Sequence, residues 1–379
     1  MEVAPPPMES LPIDLQLEIV AHSDDAATIL RCAATCKPLR AAVHGPGFRP
    51  RSQAALLAAA HAGFDPSLLL GISSSYPLSD RAAAADHHQS RLPHLDGDLL
   101  RPPPFEPVSS RDGLLVLWRR DPEPELRVCN TSTGAVTTLP CIDVEGKWGS
   151  GGIYRPALIN LGRGCRRNSF ELLVMDVCFR TRIFSSRDAS WGAIRIVKPP
   201  PEHDSWCAVD EAMRTSPAVV RGTVHWVCRS TRGTAASGGV FVLALQVGAA
   251  QATAIEPPQG CGVGSTASCV SLTDAADRLG MVVSGAEAIS TWKLSTKGWW
   301  SQEAVISKHV IAPGMDASRT VCWCVGFRKK SGAVLLWMER VGLVQINMGT
   351  KAATVLRRCS HPSAATPLRL RDIDLASLF

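Results

Sequence analysis

The chain lacks the segments that direct a protein to the secretory route or into a membrane. Its first residues, Met1–Pro7, contain neither the charged block nor the apolar block of a secretory signal. No apolar run approaches the ~20 residues of a membrane-spanning helix, and the run from Ala333 to Met338 is only long enough for a strand. We therefore expect a soluble protein of the cytoplasm or the nucleus, with no membrane among its partners.

The chain also lacks the short motifs of common catalytic sites. It contains no nucleophile elbow, no Walker-type phosphate loop and no metalloprotease helix. Asp86, His87, His88 and His94 are residue types that bind metals, but they lie in an irregular polar stretch, where an exposed loop is the default. We therefore predict a non-catalytic protein without a metal or a cofactor.

The 13 cysteines do not form the pattern of a disulfide framework or a zinc site. Their number is odd and their spacing is irregular. The close pairs Cys32…Cys36 and Cys322…Cys324 have no histidine or cysteine partners at zinc-site spacing. We expect reduced, mostly buried cysteines that pack as small hydrophobic side chains.

Composition indicates a folded globular chain whose charge is dispersed. Among its 379 residues, 45% are hydrophobic and 20% are charged, with a formal net charge of +6. The basic clusters at 163–167, 328–330 and 357–358 are brief and contain no aromatic residues. We interpret each cluster as a solvated turn, and we expect no nucleic-acid partner because stacking aromatics are missing.

The first 45 or so residues predict three short helices. In the first, Ser10 is placed to cap a first turn that contains Pro12 and Asp14. Leu11, Leu15 and Ile19 recur at intervals of four, which places one apolar stripe along this helix.

The second helix is predicted to start at Asp24-Asp25 and to carry Ile29 and Leu30, and the third to run from about Lys37 to Val43. Three such helices bury only a small core, so apolar surface is left over for a partner. The alternative is an ordinary helical subdomain that packs against the rest of the chain.

The order Leu11-Pro12-Ile13-Asp14-Leu15, then Leu30-Arg31, then Cys36-Lys37-Pro38-Leu39-Arg40 resembles an F-box. The resemblance implies that residues 8–48 dock a Skp-type adaptor and, through it, a cullin. Two positions depart from the usual F-box: Leu39 stands where Trp is common, and Ser23-Asp24 where Leu-Pro is common. The adaptor-binding residues that the resemblance implies are Leu11, Pro12, Leu15, Ile19, Ile29, Leu30, Cys36, Leu39 and Val43.

Residues 49–108 are predicted to link this module to a β domain. They contain a possible helix from Arg51 to Gly63, a strand from Ser67 to Ile72 and an irregular stretch from Ser73 to Pro107. From Ser109 onward, short apolar runs alternate with turn signals.

Five similar units are recognisable in residues 109–379, with runs that begin near Leu114, Phe170, Ala218, Arg278 and Ala333. A period of about 45 residues matches one four-stranded propeller blade, so that the span has room for about six. The predicted fold is therefore a small all-α module followed by an all-β domain, most simply a β-propeller, with a β-sandwich as the alternative.

The first of these units is also similar to a repeat of F-box-associated β domains. The similarity lies in the order Ser110-x-Asp-Gly-Leu-Leu-x-Leu117, then Leu126-x-Val-Cys-Asn-x-x-Thr-Gly134, then Leu139-Pro140. Gly222–Trp226 and Trp292–Leu294 resemble later repeats. An F-box with such a domain is the arrangement of large plant F-box families.

These resemblances imply a substrate receptor of a Skp–cullin–F-box ubiquitin ligase, in which the β domain holds an unidentified target protein. Two alternatives remain open. One is an interaction scaffold that does not assemble a ligase, and the other is a ligand-binding or enzymatic propeller.

Overall fold

We describe the chain from a computed structural model. Among the described residues, no helix is long and apolar enough to cross a membrane. The structure describes residues 11–22, 29, 32–33, 36–43, 48, 69–74, 105–111, 114–119, 125–130, 135–142, 156–161, 169–176, 178–201, 207–208, 216–230, 240–259, 269–275, 278–311, 322–328, 333–338, 341–347, 350–357 and 368–372.

Two short helices with described bounds lie at the N-terminal end of the described chain, and Ile29, Cys32 and Ala33 between them are also helical. Helix α1 spans Ile13–Ala21 and α2 spans Lys37–Val43, which is the span predicted for the third helix. The prediction of a cap at Ser10 is wrong: Pro12 occupies the N-cap of α1, without a side-chain cap. The carbonyl of Pro12 accepts the N–H of Leu15 and of Gln16, which closes the first turn instead.

The remaining described chain is almost entirely antiparallel β-sheet. Helix α3 (Lys308–Ile311) is the one helical segment described there. Five sheets have four or five strands each. The strands of the first two sheets are β2 (Glu106–Arg111), β3 (Leu114–Arg119), β4 (Glu125–Asn130) and β5 (Val136–Thr138), then β6 (Ala157–Leu161), β7 (Phe170–Met175), β8 (Arg180–Ser185), β9 (Ser190–Trp191) and β10 (Arg195–Ile196).

The other three sheets continue in chain order. Their strands are β11 (Cys207–Ala208), β12 (Ala218–Val220), β13 (Thr223–Ser230), β14 (Val240–Gln246) and β15 (Thr253–Ile255); β16 (Cys269–Ala275), β17 (Arg278–Ser284), β18 (Ala288–Leu294) and β19 (Trp300–Ser307); and β20 (Cys322–Arg328), β21 (Ala333–Met338), β22 (Gly342–Asn347) and β23 (Ala353–Arg357).

A sixth, two-stranded sheet joins the two ends of the β region. Strand β1 (Leu69–Ser74) pairs antiparallel with β24 (Leu368–Asp372). One strand from each of the five larger sheets and β24 contact one another in sequence: β2 with β6, β6 with β12, β12 with β16, β16 with β20, β20 with β24, and β24 with β2. The sheets are therefore arranged around a common centre, in a propeller-like fold rather than a two-layer sandwich.

The hydrophobic core lies between neighbouring sheets, which explains why the central strands are apolar on both faces. In β7, Leu172 and Val174 pack with the first sheet, whereas Leu173 and Met175 pack with the third. Since side chains alternate between the two faces of a strand, an unbroken apolar run fills both interfaces. The five units recognised in the sequence correspond to the five larger sheets.

Tryptophans tie the outer strands of neighbouring sheets together. The indole N–H of Trp191 in β9 donates to the carbonyl of Pro140, which follows β5, at 2.9 Å. The indole N–H of Trp300 in β19 donates to the carbonyl of Glu256, which follows β15, at 2.8 Å. The first hydrogen bond connects the second sheet to the first, and the second hydrogen bond connects the fourth sheet to the third. The same connection between outer strands therefore occurs twice.

His225 lies in the interior of the third sheet, on β13, and is only 6% exposed. Burial lowers the pKa of its imidazole to about 4, although hydrogen bonds with the backbone of Ala218 and Thr223 oppose the shift. The Nδ1 atom is buried without a hydrogen-bond partner in the structure. His225 is therefore neutral at pH 7. Protonating its imidazole would place a positive charge in the buried interior of the sheet.

We expect His225 to weaken the fold in mild acid. Its pKa is lower in the folded than in the unfolded chain, so stability is retained above about pH 6.5 and is lost as the pH falls toward 4. Between pH 7.5 and pH 5, the free energy of unfolding should drop by about 2 kcal/mol on account of this residue. Urea unfolding of the wild type and His225→Gln at both pH values measures the difference, and equal pH dependence in the two proteins would contradict it.

Candidate adaptor-docking site

An apolar stripe on α1 is exposed to solvent. The exposed fractions are 53% for Leu11, 52% for Leu15 and 62% for Ile19. Leu15 and Ile19 lie four residues apart and therefore on one side of α1, whereas Leu11 precedes the N-cap residue Pro12. Large apolar side chains scattered singly on a surface are normal, but three within residues 11–19 are a local concentration of exposed apolar surface.

Two more of the predicted docking residues are exposed at the surface. Pro12 is exposed at the N-cap of α1, and Cys36 is exposed immediately before α2. Because α1 contacts α2, the two helices belong to one small module. Leu30 lies outside the described residues.

The other predicted docking residues form the interior of the module. Ile29 is fully buried, Leu39 is 4% exposed and Val43 is 1% exposed. The opposite side of α1 contributes Val20 and Ala21 to this buried set. These side chains therefore hold the helices together, while Leu11, Leu15 and Ile19 face outward.

The burial of Leu39 changes the meaning of the sequence departure at this position. Leu stands where Trp is common in F-boxes, and here the side chain is in the core of the module. Its smaller volume therefore affects the packing of α2 and leaves the exposed stripe unchanged. The departure at Ser23-Asp24 lies outside the described residues.

Local hydrogen bonds fix both ends of α1. The amide Nε2 of Gln16 donates to the carbonyl of Leu11 at 2.5 Å, which holds the residue before the helix. At the other end, the backbone N–H of His22 donates to the carbonyls of Glu18 and Ile19, and its ring nitrogen lies 3.8 Å from a carboxylate oxygen of Glu18. The stripe is thus presented by a helix whose ends are defined.

The described residues offer few candidates for a metal site or a catalytic nucleophile. They contain no group of three His, Cys, Asp or Glu side chains that could hold a metal ion. Burial raises the pKa of the Cys129 thiol to about 12, and it also raises the pKa of the Cys322 thiol. Both thiols are therefore protonated at neutral pH and are poor nucleophiles.

Solved structures resemble the chain only distantly. A structure from a study of two prolyl endopeptidases has a TM-score of 0.33 at 9% identity, over 94% of this chain and 43% of that one. A protein of unknown function from Bacteroides thetaiotaomicron has a TM-score of 0.35 at 10% identity, over 66% and 57%. A puromycin hydrolase has a TM-score of 0.41 at 13% identity, over 67% and 39%.

The chain spans between 39% and 57% of the length of these three structures. Likeness at this level carries no conclusion about the chemistry of the chain. No curated protein matches it. Residues 73–379 match the family described as "Domain of unknown function (DUF7595)", and the chain belongs to that family.

Proposed function

We propose that this protein is the substrate-recognition subunit of a Skp–cullin–F-box ubiquitin ligase of the cytoplasm or nucleus. Residues 8–48 are the F-box that docks a Skp-type adaptor, and the β domain holds a target protein. The observation that carries the proposal is the exposed stripe of Leu11, Leu15 and Ile19. The sequence order that resembles an F-box supports it independently.

The exposed stripe favours this function over that of an ordinary helical subdomain. A subdomain that packed against the propeller would bury the apolar side of its first helix, whereas these three side chains are more than half exposed. Each of them gains roughly 1.5–3 kcal/mol when it moves from water into an apolar groove. A groove in an adaptor that receives an amphipathic helix supplies such an environment.

We further propose that the β domain is a six-bladed propeller in which the two-stranded sheet of β1 and β24 supplies the inner part of the sixth blade. The contacts of β24 with β20 and with β2 support this count, since they make β24 a sixth member of the ring of inner strands. A ring of this kind is a rigid platform whose loops can carry specificity for a target.

The proposed mechanism is proximity. An adaptor and cullin bring the charged ubiquitin-conjugating enzyme close to a target that the propeller holds, which raises the effective concentration of the target lysine. No side chain of this chain takes part in bond making.

An interaction scaffold without ligase assembly is the second candidate. The replacement of the usual Leu-Pro by Ser23-Asp24 favours it, because this change removes apolar area from the predicted docking region. The two candidates differ in a single measurable property, which is affinity for the adaptor.

We predict that the double variant Leu15→Asp/Ile19→Asp loses adaptor binding. Two carboxylates on the stripe would have to be desolvated in the groove, so affinity should fall at least about a hundredfold. Isothermal titration of the purified full-length chain with a Skp adaptor measures this loss. The matched control is Ile196→Asp/Val310→Asp, which places the same charges on side chains that are 77% and 66% exposed on the propeller.

Two outcomes would overturn the ligase proposal. One is a wild-type chain that does not bind the adaptor at micromolar concentrations, equivalent to about −8 kcal/mol. The other is an equal loss of affinity in both double variants. The first outcome would favour the interaction scaffold as the function.

We also predict that the two classes of docking residue respond differently to mutation. Leu39→Ala leaves a cavity in the module and should lower its stability by about 2–4 kcal/mol, whereas Leu15→Ala should change it by less than about 0.5 kcal/mol. Hydrogen exchange of the amides in α1 and α2 of the full-length chain reports the stability of the module. Faster exchange in the Leu15→Ala variant than in Leu39→Ala would contradict this division.

A further inference from the structure

The outer half of the second sheet combines exposed apolar side chains with an excess of positive charge. Ile194 and Ile196 are 41% and 77% exposed, and Ile196 is the most exposed large apolar side chain that the structure describes. Residues 178–201, all of them described, contain five basic residues and one acidic residue. The acidic residue is Asp188, whose carboxylate accepts a hydrogen bond from the hydroxyl of Ser185.

The register of β8 with its neighbours places an aromatic, a basic and an apolar side chain in one row. Trp191 pairs with Phe184, and Ile196 pairs with Arg180. Directly opposite residues share a face of a sheet, and every second residue of a strand returns to that face. Arg182 therefore lies between the two pairs on the same face, and the row from Phe184 to Arg180 is about 13 Å long.

This row lies on the face of the second sheet that is directed toward the first sheet. Phe184 is buried in the core between the two sheets, and Trp191 packs against that core. Ile196, at the other end of the row, is exposed to solvent. The row thus runs from the buried core to the open surface, so a partner that covers Ile196 would extend an existing apolar contact.

Arg182 is held in the middle of the row by backbone carbonyls. Its Nε donates to the carbonyl of Gly192 at 3.1 Å, and its Nη1 donates to the carbonyl of Ile142 at 2.8 Å. The guanidinium carbon lies 5.9 Å from the centroid of the Trp191 ring, within the range of a cation–π contact. Neutral carbonyls and a ring leave the positive charge in place, and a guanidinium has further N–H groups to donate.

The charges around the row are only partly balanced by carboxylates. Arg180 forms an ion pair with Asp176 at 2.6 Å. Arg182 forms no ion pair with a carboxylate among the described residues. Two exposed cations flank the row, Arg187 in the turn between β8 and β9 and Lys198 shortly after β10. The face therefore presents a fixed guanidinium between two mobile positive charges.

An acidic polypeptide complements this face better than nucleic acid or a second copy of the chain. A second copy would bring the same positive charges together, which is unfavourable. Single-stranded nucleic acid binds by stacking bases on aromatic rings, whereas the ring of Trp191 already contacts Phe184 at 5.4 Å and the guanidinium of Arg182. A polypeptide supplies both carboxylates for the cations and aliphatic side chains for the isoleucines.

We propose that this face binds an extended segment of the target protein in which acidic residues adjoin aliphatic residues. A carboxylate of the segment pairs with the guanidinium of Arg182, and an aliphatic side chain covers Ile196. The identification of the occupant as the target rests on the proposed function, whereas the binding itself does not. We call this surface the β8–β10 face. Its residues are Arg182, Arg187, Trp191, Ile194, Ile196 and Lys198.

Selection of random peptides displayed on phage against the immobilised full-length chain tests the proposal. We expect the selected peptides to be enriched in Asp and Glu and in Leu, Ile and Val relative to the unselected library. Fluorescence anisotropy with the synthetic peptides then measures their affinity. Replacing their acidic residues by Asn and Gln, or their aliphatic residues by Ala, should weaken binding at least about tenfold in each case.

An apolar pair of substitutions locates the site. Ile194→Ser/Ile196→Ser should weaken binding of the selected peptides at least about tenfold, because the aliphatic contact is lost. The matched control is Val305→Ser/Val310→Ser, which removes apolar side chains that are 50% and 66% exposed on the fourth sheet and the helix after it. The control should change the affinity less than about twofold.

A second pair removes charge instead. Arg187→Gln/Lys198→Gln should weaken binding about three- to tenfold and make it less sensitive to salt. The control, Lys297→Gln/Lys351→Gln, removes two exposed charges from the turns before the outer strands of the fourth and fifth sheets, and should have less than half of this effect. Arg182→Gln should weaken binding at least about tenfold. Urea unfolding of this variant checks that the loss is not one of folding.

Four results would overturn the proposal: selection without enrichment of acidic and aliphatic residues, equal weakening by a test pair and its control, a single-stranded oligonucleotide that binds more tightly than any selected peptide, or self-association of the chain that Ile194→Ser/Ile196→Ser abolishes. Failure here is distinguishable from failure of the ligase role, because these titrations contain no adaptor. A chain that binds the adaptor but no such peptide would be a substrate receptor that holds its target elsewhere.

Discussion

The pairing of β1 with β24 is the constraint on which the ring of sheets depends. An open series of sheets would leave apolar side chains uncovered at its ends, since the core lies between neighbouring sheets. β24 lies between β20 of the last large sheet and β2 of the first, and β1 is bonded to it over Leu69 to Ser74. Strands nearly three hundred residues apart in the sequence therefore hold the two ends of the series together.

This closure also explains which part of the fold was predictable. Strands β3 and β14 are packed on both faces, so they appear as the apolar runs Leu114–Trp118 and Val240–Leu245, and these predicted runs coincide with observed strands. The innermost strands were harder to predict from the sequence because polar side chains interrupt their apolar pattern. Ser109 in β2 and Ser271 and Thr273 in β16 are buried despite their polarity, and no local pattern distinguishes such a strand from a loop.

The sixth sheet was not predictable from a repeat, because its two strands come from opposite ends of the β region and share no unit in the sequence. Residues 163–167, 329, 330 and 358 of the basic clusters lie outside the described residues, so the prediction that each cluster is a solvated turn stays a prediction. For the candidate docking site, the spacing of Leu11, Leu15 and Ile19 predicted the apolar stripe, whereas the division into exposed and buried residues required the packing of α1 on α2.

The pairing of β1 with β24 also defines where the chain enters the β region. Leu69, the first residue of β1, pairs with Asp372, the last residue of β24, so their Cα atoms lie about 5 Å apart. The strand that closes the ring is therefore also the strand through which the N-terminal helices are joined to it. A change that weakens this pairing would loosen the ring and, at the same place, the attachment of the N-terminal helices.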